Sequence, residues 1–363
     1  MKLKLNLAEI LEGHRKERHV VVLHSYPDPD AISCAYTYQI ISAEYGIEAD
    51  ILYTGEISHQ QNLALVHLLG IDLGKYSPST KLEKYQAAIF VDHQGTTVQE
   101  LVAALEKAQV PLLLVVDHHE DQEGVEPEFS EIYKTGSTAT IFANFLQQGV
   151  IDMDGGRKEH VTAATALLHG ILTDTAEFAR ANSEDFQAAA YLSRFRDAEL
   201  LEQIMNQARS KQAMEIIRRA LGNRVVVENF SISGIGFLRS EDRDAIPEAT
   251  DFLLTEENVH TAIVYGILTQ EDSQEILMGS LRTTKLTLDP DDFIKEVFGK
   301  DADDNYFGGG KPSAGGFAVP VGFLSGEQSE EYQEMKWQVY DAQIRYKLFD
   351  KIGVERDVLG QSE

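Results

Sequence analysis

Three short apolar runs of the sequence each end in acidic and imidazole side chains, residue types that bind metal ions. The runs span residues 19–23, 87–91 and 111–116. The polar residues that follow them are His24, Asp28, Asp30, Asp92, His93, Asp117, His118 and His119. Carboxylate oxygens and neutral imidazoles together suit a pair of divalent ions such as Mn²⁺. A strand followed by a polar turn explains one such run equally well, but three in one chain favour a metal centre.

The apolar runs themselves predict strands of a parallel sheet. They are short, rich in β-branched residues and without polar alternation, as in strands buried on both faces. Helical segments are predicted between and beside them, at 31–45, 60–69 and 98–108, with another strand at 48–53. This alternation predicts a doubly wound α/β sheet. Because the crevice of such a sheet lies at the carboxyl ends of its strands, the polar residues are expected along one edge.

The second half of the chain predicts a smaller, mixed α/β domain. Strand-like segments at 225–227, 231–237, 260–269 and 275–282 accompany a helix at 291–298. We therefore expect a metal-binding domain over residues 1–190, a helical linker over 191–223, the smaller domain over 224–325 and a helical tail over 326–363. Aromatic residues along the tail predict packing against the body of the protein or against a second subunit of a homodimer.

Composition and charge limit the classes of partner. The 363 residues carry a formal net charge of −27, which repels long nucleic acids but permits a small anion held by metals and local cations. Cys34 is the single cysteine, which excludes a disulfide framework and a thiolate metal cluster.

No stretch approaches the roughly 18 apolar residues of a membrane span, and the first 20 residues lack a signal-peptide core. A cytoplasmic protein without a membrane partner is expected.

Four ordered motifs resemble those of the DHH phosphoesterase family. Residues 24–31 read HSYPDPDA, beside the family pattern HxxPDxDA, and Asp92 stands alone at a strand end. Residues 115–119 read VVDHH, and residues 170–175 read GILTDT, which is similar to GxxxDT. The resemblance covers roughly residues 19–323. It implies a phosphoric ester hydrolase with a parallel catalytic domain and a smaller DHH-associated domain.

The resemblance also implies a centre of two Mn²⁺ ions. Its six ligands are shared between the ions, with Asp92 as the bridge: His24 and Asp28 on the first, and Asp30, His118 and Asp174 on the second. Asp117 is expected to orient a ligand imidazole. His119 would contact the phosphate or protonate the leaving oxygen, although a purely structural histidine is the alternative. For His93, a bond to Asp92 or a solvent-facing position is favoured over metal binding.

A fifth motif lies in the smaller domain and implies substrate binding. Residues 308–317 read GGGKPSAGGF, similar to the family's GGGHxxAAGF, so Gly308, Gly309 and Gly310 are expected to approach a phosphate or base. Lys311 replaces the family histidine, which keeps a cation but loses the ring and puts base stacking in doubt. Arg282 resembles an arginine that grips a substrate phosphate, with an exposed strand-end arginine as an equal alternative.

The short linker and the glycine-rich domain most resemble the oligoribonuclease, pAp-phosphatase and cyclic-dinucleotide phosphodiesterase branch of the family. The substrates expected from this resemblance are short oligoribonucleotides, 3′-phosphoadenosine 5′-phosphate, and linear or cyclic di-adenylate, cleaved to mononucleotides. Two alternatives remain open. One is hydrolysis of inorganic pyrophosphate or polyphosphate, and the other is a nucleotide-sensing module that binds without turnover.

Overall fold

A parallel sheet organises the first part of the chain. The computed structural model describes residues 6–354 except 56, 58–59, 123, 208, 271–273 and 327–328. The chain divides into two units, residues 1–208 and 209–363, each described by itself. The first unit contains the strands β1 (Arg18–Val22), β2 (Glu48–Tyr53), β3 (Gly74–Lys75), β4 (Ala87–Val91), β5 (Leu112–Asp117) and β6 (Phe129–Ile132). Its helices are α1 (Leu7–Gly13), α2 (Pro29–Glu44), α3 (Gln60–Leu69), α4 (Gln99–Lys107), α5 (Thr138–Gln147), α6 (Lys158–Asp174), α7 (Ser183–Leu192) and α8 (Ala198–Met205).

The register of the sheet places the ends of its central strands side by side. Within the described residues the strand order is β3-β2-β1-β4-β5-β6, and each neighbouring pair is parallel. Val22 pairs with Phe90, and Val91 pairs with Val116. Strands β1, β4 and β5 are almost fully buried because helices cover both faces. The predicted doubly wound α/β fold is confirmed, and the residues that follow these three strands start from one edge.

The second unit is built on a mixed sheet. Its strands are β7 (Val225–Val227), β8 (Phe230–Arg239), β9 (Thr261–Thr269), β10 (Glu275–Thr283), β11 (Gly308–Lys311) and β12 (Ala314–Pro320). Its α-helices are α9 (Lys211–Asn223), α10 (Ala245–Leu253), α11 (Pro290–Phe298) and α12 (Glu330–Ile352). Short 3₁₀ turns lie at Ser240–Asp242 and Gly322–Leu324. The described strands are ordered β11-β12-β10-β9-β8-β7, and β8 and β9 pair in parallel.

Alternating side chains of β8 and β9 supply two separate cores in this unit. Ile263 and Tyr265 pack with α11 and α12, whereas Ala262 and Val264 pack with α9 and α10 on the other face. The expected boundaries therefore differ from the observed ones. The stretch expected as a linker contains α8, which belongs to the first unit, and α9, which covers the second sheet. Likewise α12 packs into the core that it shares with α11 and is not a separate tail. No described helix has the length and apolar character needed to cross a membrane.

An ion-pair cluster at the amino ends of the strands provides a test of pH-dependent stability. The carboxylate of Asp50 accepts hydrogen bonds at 2.9, 2.8 and 2.7 Å from Arg18, Lys84 and Tyr85. Burial alone would raise the pKa of Asp50, but these donors lower it from 3.8 to about 2. Because the pKa of Asp50 in the folded protein lies below its ordinary value, the ionised carboxylate stabilises the folded state. This stabilisation is fully present above pH 4 and disappears as the pH falls towards 2.

We expect Asp50→Asn to lower the free energy of unfolding at pH 7 by about 1–2 kcal/mol, allowing for solvent screening of a partly exposed group. The difference in the free energy of unfolding between the wild type and the variant should shrink as the pH is lowered from 4 to 2. Urea unfolding of both proteins across this range measures it. A deficit that stays constant with pH would show that the carboxylate charge contributes nothing.

Candidate metal centre

The carboxyl edge of the first sheet brings the predicted ligands together. Asp28 is the N-cap of α2, where its Oδ1 accepts a hydrogen bond from the Ala31 N–H at 3.0 Å. Pro29 occupies the first turn of this helix, a position that suits its fixed φ angle. Asp30 follows in the same turn and is fully buried. The start of α2, which follows β1 after a short loop, therefore presents two carboxylates, two residues apart, to one site.

Three overlapping groups of side chains have the spacing of metal ligands. In each group, one ligand atom per residue lies within 4.8 Å of the others. The groups are His24 with Asp28 and Asp92, Asp30 with His118 and Asp174, and Asp92 with His118 and His119. The first two groups contain all six predicted ligands in the predicted sets. The third group shows that Asp92 also lies beside the second set.

The two carboxylate oxygens of Asp92 face different histidines. Asp92 Oδ2 lies 3.7 Å from His24 Nε2, which is itself 3.9 Å from Asp28 Oδ1. Asp92 Oδ1 lies 3.6 Å from His118 Nε2, and that nitrogen is 3.3 Å from Asp174 Oδ2. A carboxylate placed in this way between two ligand sets has the geometry of a bridge.

The electrostatics of the site favour a bound cation. Burial, with the charges of Asp30 and Asp28, raises the pKa of Asp92 well above its usual range. Burial and the charge of Asp174 likewise raise the pKa of Asp30. So many carboxylates in one buried space repel one another unless they are protonated or a positive charge neutralises them. The site thus favours any cation that its donor atoms can hold.

A polar atom without a partner indicates where such a cation fits. His118 Nε2 is buried and has no hydrogen-bond partner within the described residues, although carboxylate oxygens surround it. Burial alone lowers the pKa of His118, but the carboxylates of Asp174 and Asp30 raise it to about 9. Buried nitrogens are normally partnered. A divalent ion bound by imidazole and carboxylate groups supplies the missing partner, so these residues fit the predicted metals.

The amino end of α5 anchors two of the ligands. The Thr138 and Ala139 N–H groups each donate to Asp30, at 2.7 Å and to different oxygens. Thr138 Oγ1 also donates to Asp92 Oδ1 at 2.9 Å. The sequence analysis does not identify this role of Thr138. No local signal reveals it, because Asp30 lies 108 residues earlier in the chain.

Close packing of α6 against α2 positions Asp174. A Cβ atom at Gly170 would lie 2.8 Å from Ser33 Oγ and 3.1 Å from the Cα of Asp30. Only glycine allows the two helices to approach this closely. Asp174, one turn further along α6, then reaches the same site as Asp30.

Asp92 itself has an unusual backbone conformation. Its φ angle is +61°, in the left-handed region that aspartate tolerates better than most residues. The residue directly follows β4, and its side chain is 3% exposed. Strained backbone of this kind persists where the surrounding structure holds it, and it is concentrated at functional sites.

Asp117 orients His119 rather than the predicted ligand His118. Its Oδ1 lies 2.8 Å from His119 Nδ1, and its Oδ2 accepts a hydrogen bond from Gln94 Nε2 at 2.8 Å. His118 Nδ1 instead lies 3.2 Å from the carbonyl oxygen of Thr135. The orienting role predicted for Asp117 therefore applies to the imidazole of His119 and not to that of His118. Sequence analysis also missed Gln94, which is buried and links Asp117 to the carbonyl of Glu120.

His93 takes neither of the two positions favoured by the sequence, which were a bond to Asp92 and exposure to solvent. It is buried, its Nε2 lies 3.0 Å from the Val22 carbonyl oxygen, and its Nδ1 accepts a hydrogen bond from the Gly95 N–H. Burial lowers its pKa to about 4, and its ring stacks on Phe90. His93 therefore joins the ends of β1 and β4 as a neutral side chain.

The substrate-binding residues predicted in the second unit already have internal partners. Arg282 Nε lies 2.9 Å from Asp251 Oδ1. A Cβ atom at Gly309 would lie 2.7 Å from Asp291 Oδ1, which also accepts a hydrogen bond from the Gly310 N–H at 3.0 Å. The glycine run is thus the strand β11 with α11 packed closely against it. Gly308 pairs with β12 and Lys311 is exposed, and a role of these residues in substrate binding stays a prediction.

Comparison with known proteins identifies the family. Residues 18–171 match the profile described as the DHH family, N-terminal domain. The uncharacterized protein MJ1633 of Methanocaldococcus jannaschii is 30% identical over 351 residues, which cover 96% of this chain and 67% of that protein. The chain belongs to the DHH family. Members of this family are phosphoester hydrolases.

Two further proteins are similar to the chain over different extents. A probable manganese-dependent inorganic pyrophosphatase of Bacillus cereus is 28% identical over 187 residues, which cover 50% of this chain and 57% of the pyrophosphatase. The crystal structure of an exopolyphosphatase-related protein from Bacteroides fragilis has a TM-score of 0.68 at 16% identity. That match covers 95% of this chain and 99% of the other, and it shows a shared fold.

Proposed function

We propose that the chain is a phosphoester hydrolase dependent on two Mn²⁺ ions, and that it cleaves small nucleotide phosphates to mononucleotides. The observation that carries this proposal is the placement of Asp92, whose two oxygens face His24 and His118 in separate ligand sets. Two ions held there would neutralise phosphate charge and provide hydroxide near neutral pH. The manganese dependence in the name of the Bacillus cereus relative supports the choice of metal.

The side chains around the ligands have distinct roles in this proposal. Asp117 holds His119 through Nδ1, which leaves the Nε2 atom of a partly exposed imidazole to contact the phosphate or the leaving oxygen. Gln94 holds the second oxygen of Asp117 and so fixes the pair. Thr138 keeps Asp92 and Asp30 in position for their ligand roles.

Charge supports a small substrate. The net charge of −27 opposes binding of a long polyanion, whose affinity depends on many phosphate contacts to lysine and arginine. A dinucleotide or a nucleotide bisphosphate needs only the metal centre and a few local cations. We assign Arg282 and Lys311 to this purpose, with Gly308, Gly309 and Gly310 supporting the strand that carries Lys311.

Inorganic pyrophosphate is a second candidate substrate. The specific observation in its favour is the similarity to the Bacillus cereus pyrophosphatase across half of this chain. Pyrophosphate needs the same metal ligands but no site for a base. Activity on it would leave the roles of the six ligands unchanged and remove the role proposed for the second unit.

Product analysis distinguishes these candidates. The purified chain, with Mn²⁺, would be incubated with 5′-phosphorylated diadenylate, 3′-phosphoadenosine 5′-phosphate, cyclic di-adenylate, pyrophosphate and long single-stranded DNA. Release of mononucleotide from the small nucleotides, with the DNA intact, is the expected result. Cleavage of pyrophosphate alone would show that inorganic pyrophosphate is the substrate. Tight nucleotide binding without any product would support a sensing module instead.

His119→Gln should lower kcat by about 10²–10³-fold, because it removes a proton donor of the reaction. Its Mn²⁺ affinity should stay close to that of the wild type, since His119 belongs to neither predicted ligand set. Steady-state kinetics and equilibrium dialysis measure the two effects. The matched control is His67→Gln, at an exposed position on α3, which should change neither. Loss of one bound Mn²⁺ ion in His119→Gln would show that His119 is a metal ligand.

A further inference from the structure

A second group of metal-binding side chains lies at the opposite edge of the first sheet. His14, Glu17 and His19 each offer one ligand atom, and these atoms lie within 4.8 Å of one another. His19 is at the amino end of β1, whereas His24 follows its carboxyl end. Five residues of extended chain, at about 3.3 Å each, separate the two histidines by about 16 Å. The group is therefore independent of the DHH centre.

The local structure directs all three side chains to one point. His14 is the C-cap of α1, and α1 is fixed to the core through Leu7 and Leu11. Lys16 has a φ angle of +70°, so the chain reverses between His14 and Glu17. Glu17 Oε2 then lies 2.8 Å from His14 Nδ1 and 3.2 Å from His19 Nε2.

We propose that His14, Glu17 and His19 form a binding site for a zinc-like divalent ion. Two imidazoles and one carboxylate are an established ligand set for tetrahedral zinc, with a fourth position open to water. In that geometry, bonds of about 2.0–2.1 Å place neighbouring ligand atoms about 3.3 Å apart. Two of the three separations, at 2.8 and 3.2 Å, are already close to this value, and the third, between the two imidazole nitrogens, is within 4.8 Å.

The surroundings of His19 support a ligand role. The His19 side chain is fully buried, and its Nδ1 lies 2.7 Å from the hydroxyl of the buried Tyr38. Metal-bound histidines characteristically have their second ring nitrogen held in this way, which fixes the ring and its tautomer.

The neighbouring basic residues leave the site accessible to a cation. Arg15 is paired with Glu12, Arg18 is paired with Asp50, and Lys16 is exposed. His14 and Glu17 are about a quarter exposed, so an ion can enter from solvent and retain a water ligand. A bound ion would link the end of α1 to the start of β1 and stabilise the first unit.

Zinc counting on the full chain tests the site. Equilibrium dialysis followed by metal analysis should find one zinc ion fewer in His14→Ala than in the wild type. The control His67→Ala, which changes an exposed histidine of the same unit, should keep the wild-type count. Asp92→Asn affects only the DHH centre, so it should keep the zinc ion that His14→Ala loses. Equal counts in His14→Ala and His67→Ala would overturn the proposal.

A second variant keeps the test valid if His14→Ala is unstable. Tyr38→Phe removes only the hydroxyl beside His19 Nδ1 and should weaken zinc binding at this site by about 10-fold or more. Anomalous scattering at the zinc edge should place the ion between the three side chains. If Tyr38→Phe leaves the affinity unchanged and no ion is found there, the three residues form a hydrogen-bonded triad and the site does not exist.

Discussion

Asp92→Asn should abolish phosphoester hydrolysis, with a loss of at least about 10³-fold, or about 4 kcal/mol of transition-state stabilisation. The reason is that one carboxylate serves both ligand sets, with separate oxygens 3.7 and 3.6 Å from His24 and His118. An amide has one oxygen and no charge, so it cannot bridge two cations. Steady-state kinetics with Mn²⁺ and equilibrium dialysis of Mn²⁺ measure the loss.

The fold should survive this substitution. Burial and the charges of neighbouring carboxylates raise the pKa of Asp92, so a neutral amide avoids the cost of an unneutralised buried charge in the metal-free protein. The metal-free variant should therefore unfold at a temperature equal to or above that of the metal-free wild type, whereas Mn²⁺ should stabilise the wild type more. Asp72→Asn, at an exposed position of the same unit, is the matched control. Normal turnover in Asp92→Asn would eliminate the bridged centre.

Gly170→Ala should have the second-largest effect, although Gly170 is not itself a ligand. The new methyl group would lie 2.8 Å from Ser33 Oγ and 3.1 Å from the Cα of Asp30, so α6 must move away from α2. Such overpacking costs about 1–3 kcal/mol of folding free energy. Because Asp30 and Asp174 lie on the two displaced helices, we expect about a 10²-fold loss of turnover, as for a misplacement near 1 Å.

Another helical glycine provides the control for Gly170→Ala. Gly222 on α9 has no atom within 4 Å of an added Cβ, so Gly222→Ala should stabilise the protein by about 0.5–1 kcal/mol without changing turnover. Urea unfolding and kinetics of both variants separate crowding from helix propensity. Adding Ser33→Ala to Gly170→Ala removes the nearest oxygen and should restore part of the loss. Equal effects at Gly170 and Gly222 would show that the close approach of α2 and α6 is unimportant.

Local patterns were sufficient to predict most secondary structure of the first unit. The strand predicted at 48–53 and the helix at 60–69 coincide with β2 and α3. Strand β6 (Phe129–Ile132) was missed because it is a half-buried edge strand without an apolar run. Helix α9 was assigned to a linker because its charged surface resembles an exposed helix. Its narrow apolar side, with Ile216 and Ile217, packs into the core that α9 shares with α10.

The sequence alone determined the residue types of the metal centre and the edge where they meet. Parallel strands with polar residues after their carboxyl ends leave few alternatives, and the order of the motifs identified six candidate ligands before any distance was known. Tertiary structure decided the relations between distant residues. Helix α5 fixes Asp30 through N–H groups 108 and 109 residues away, and Asp117 selects His119 rather than His118. Hydrogen bonds and close packing depend on distances of a few ångströms between residues that are far apart in the sequence. Those distances are set only when the helices and strands pack together.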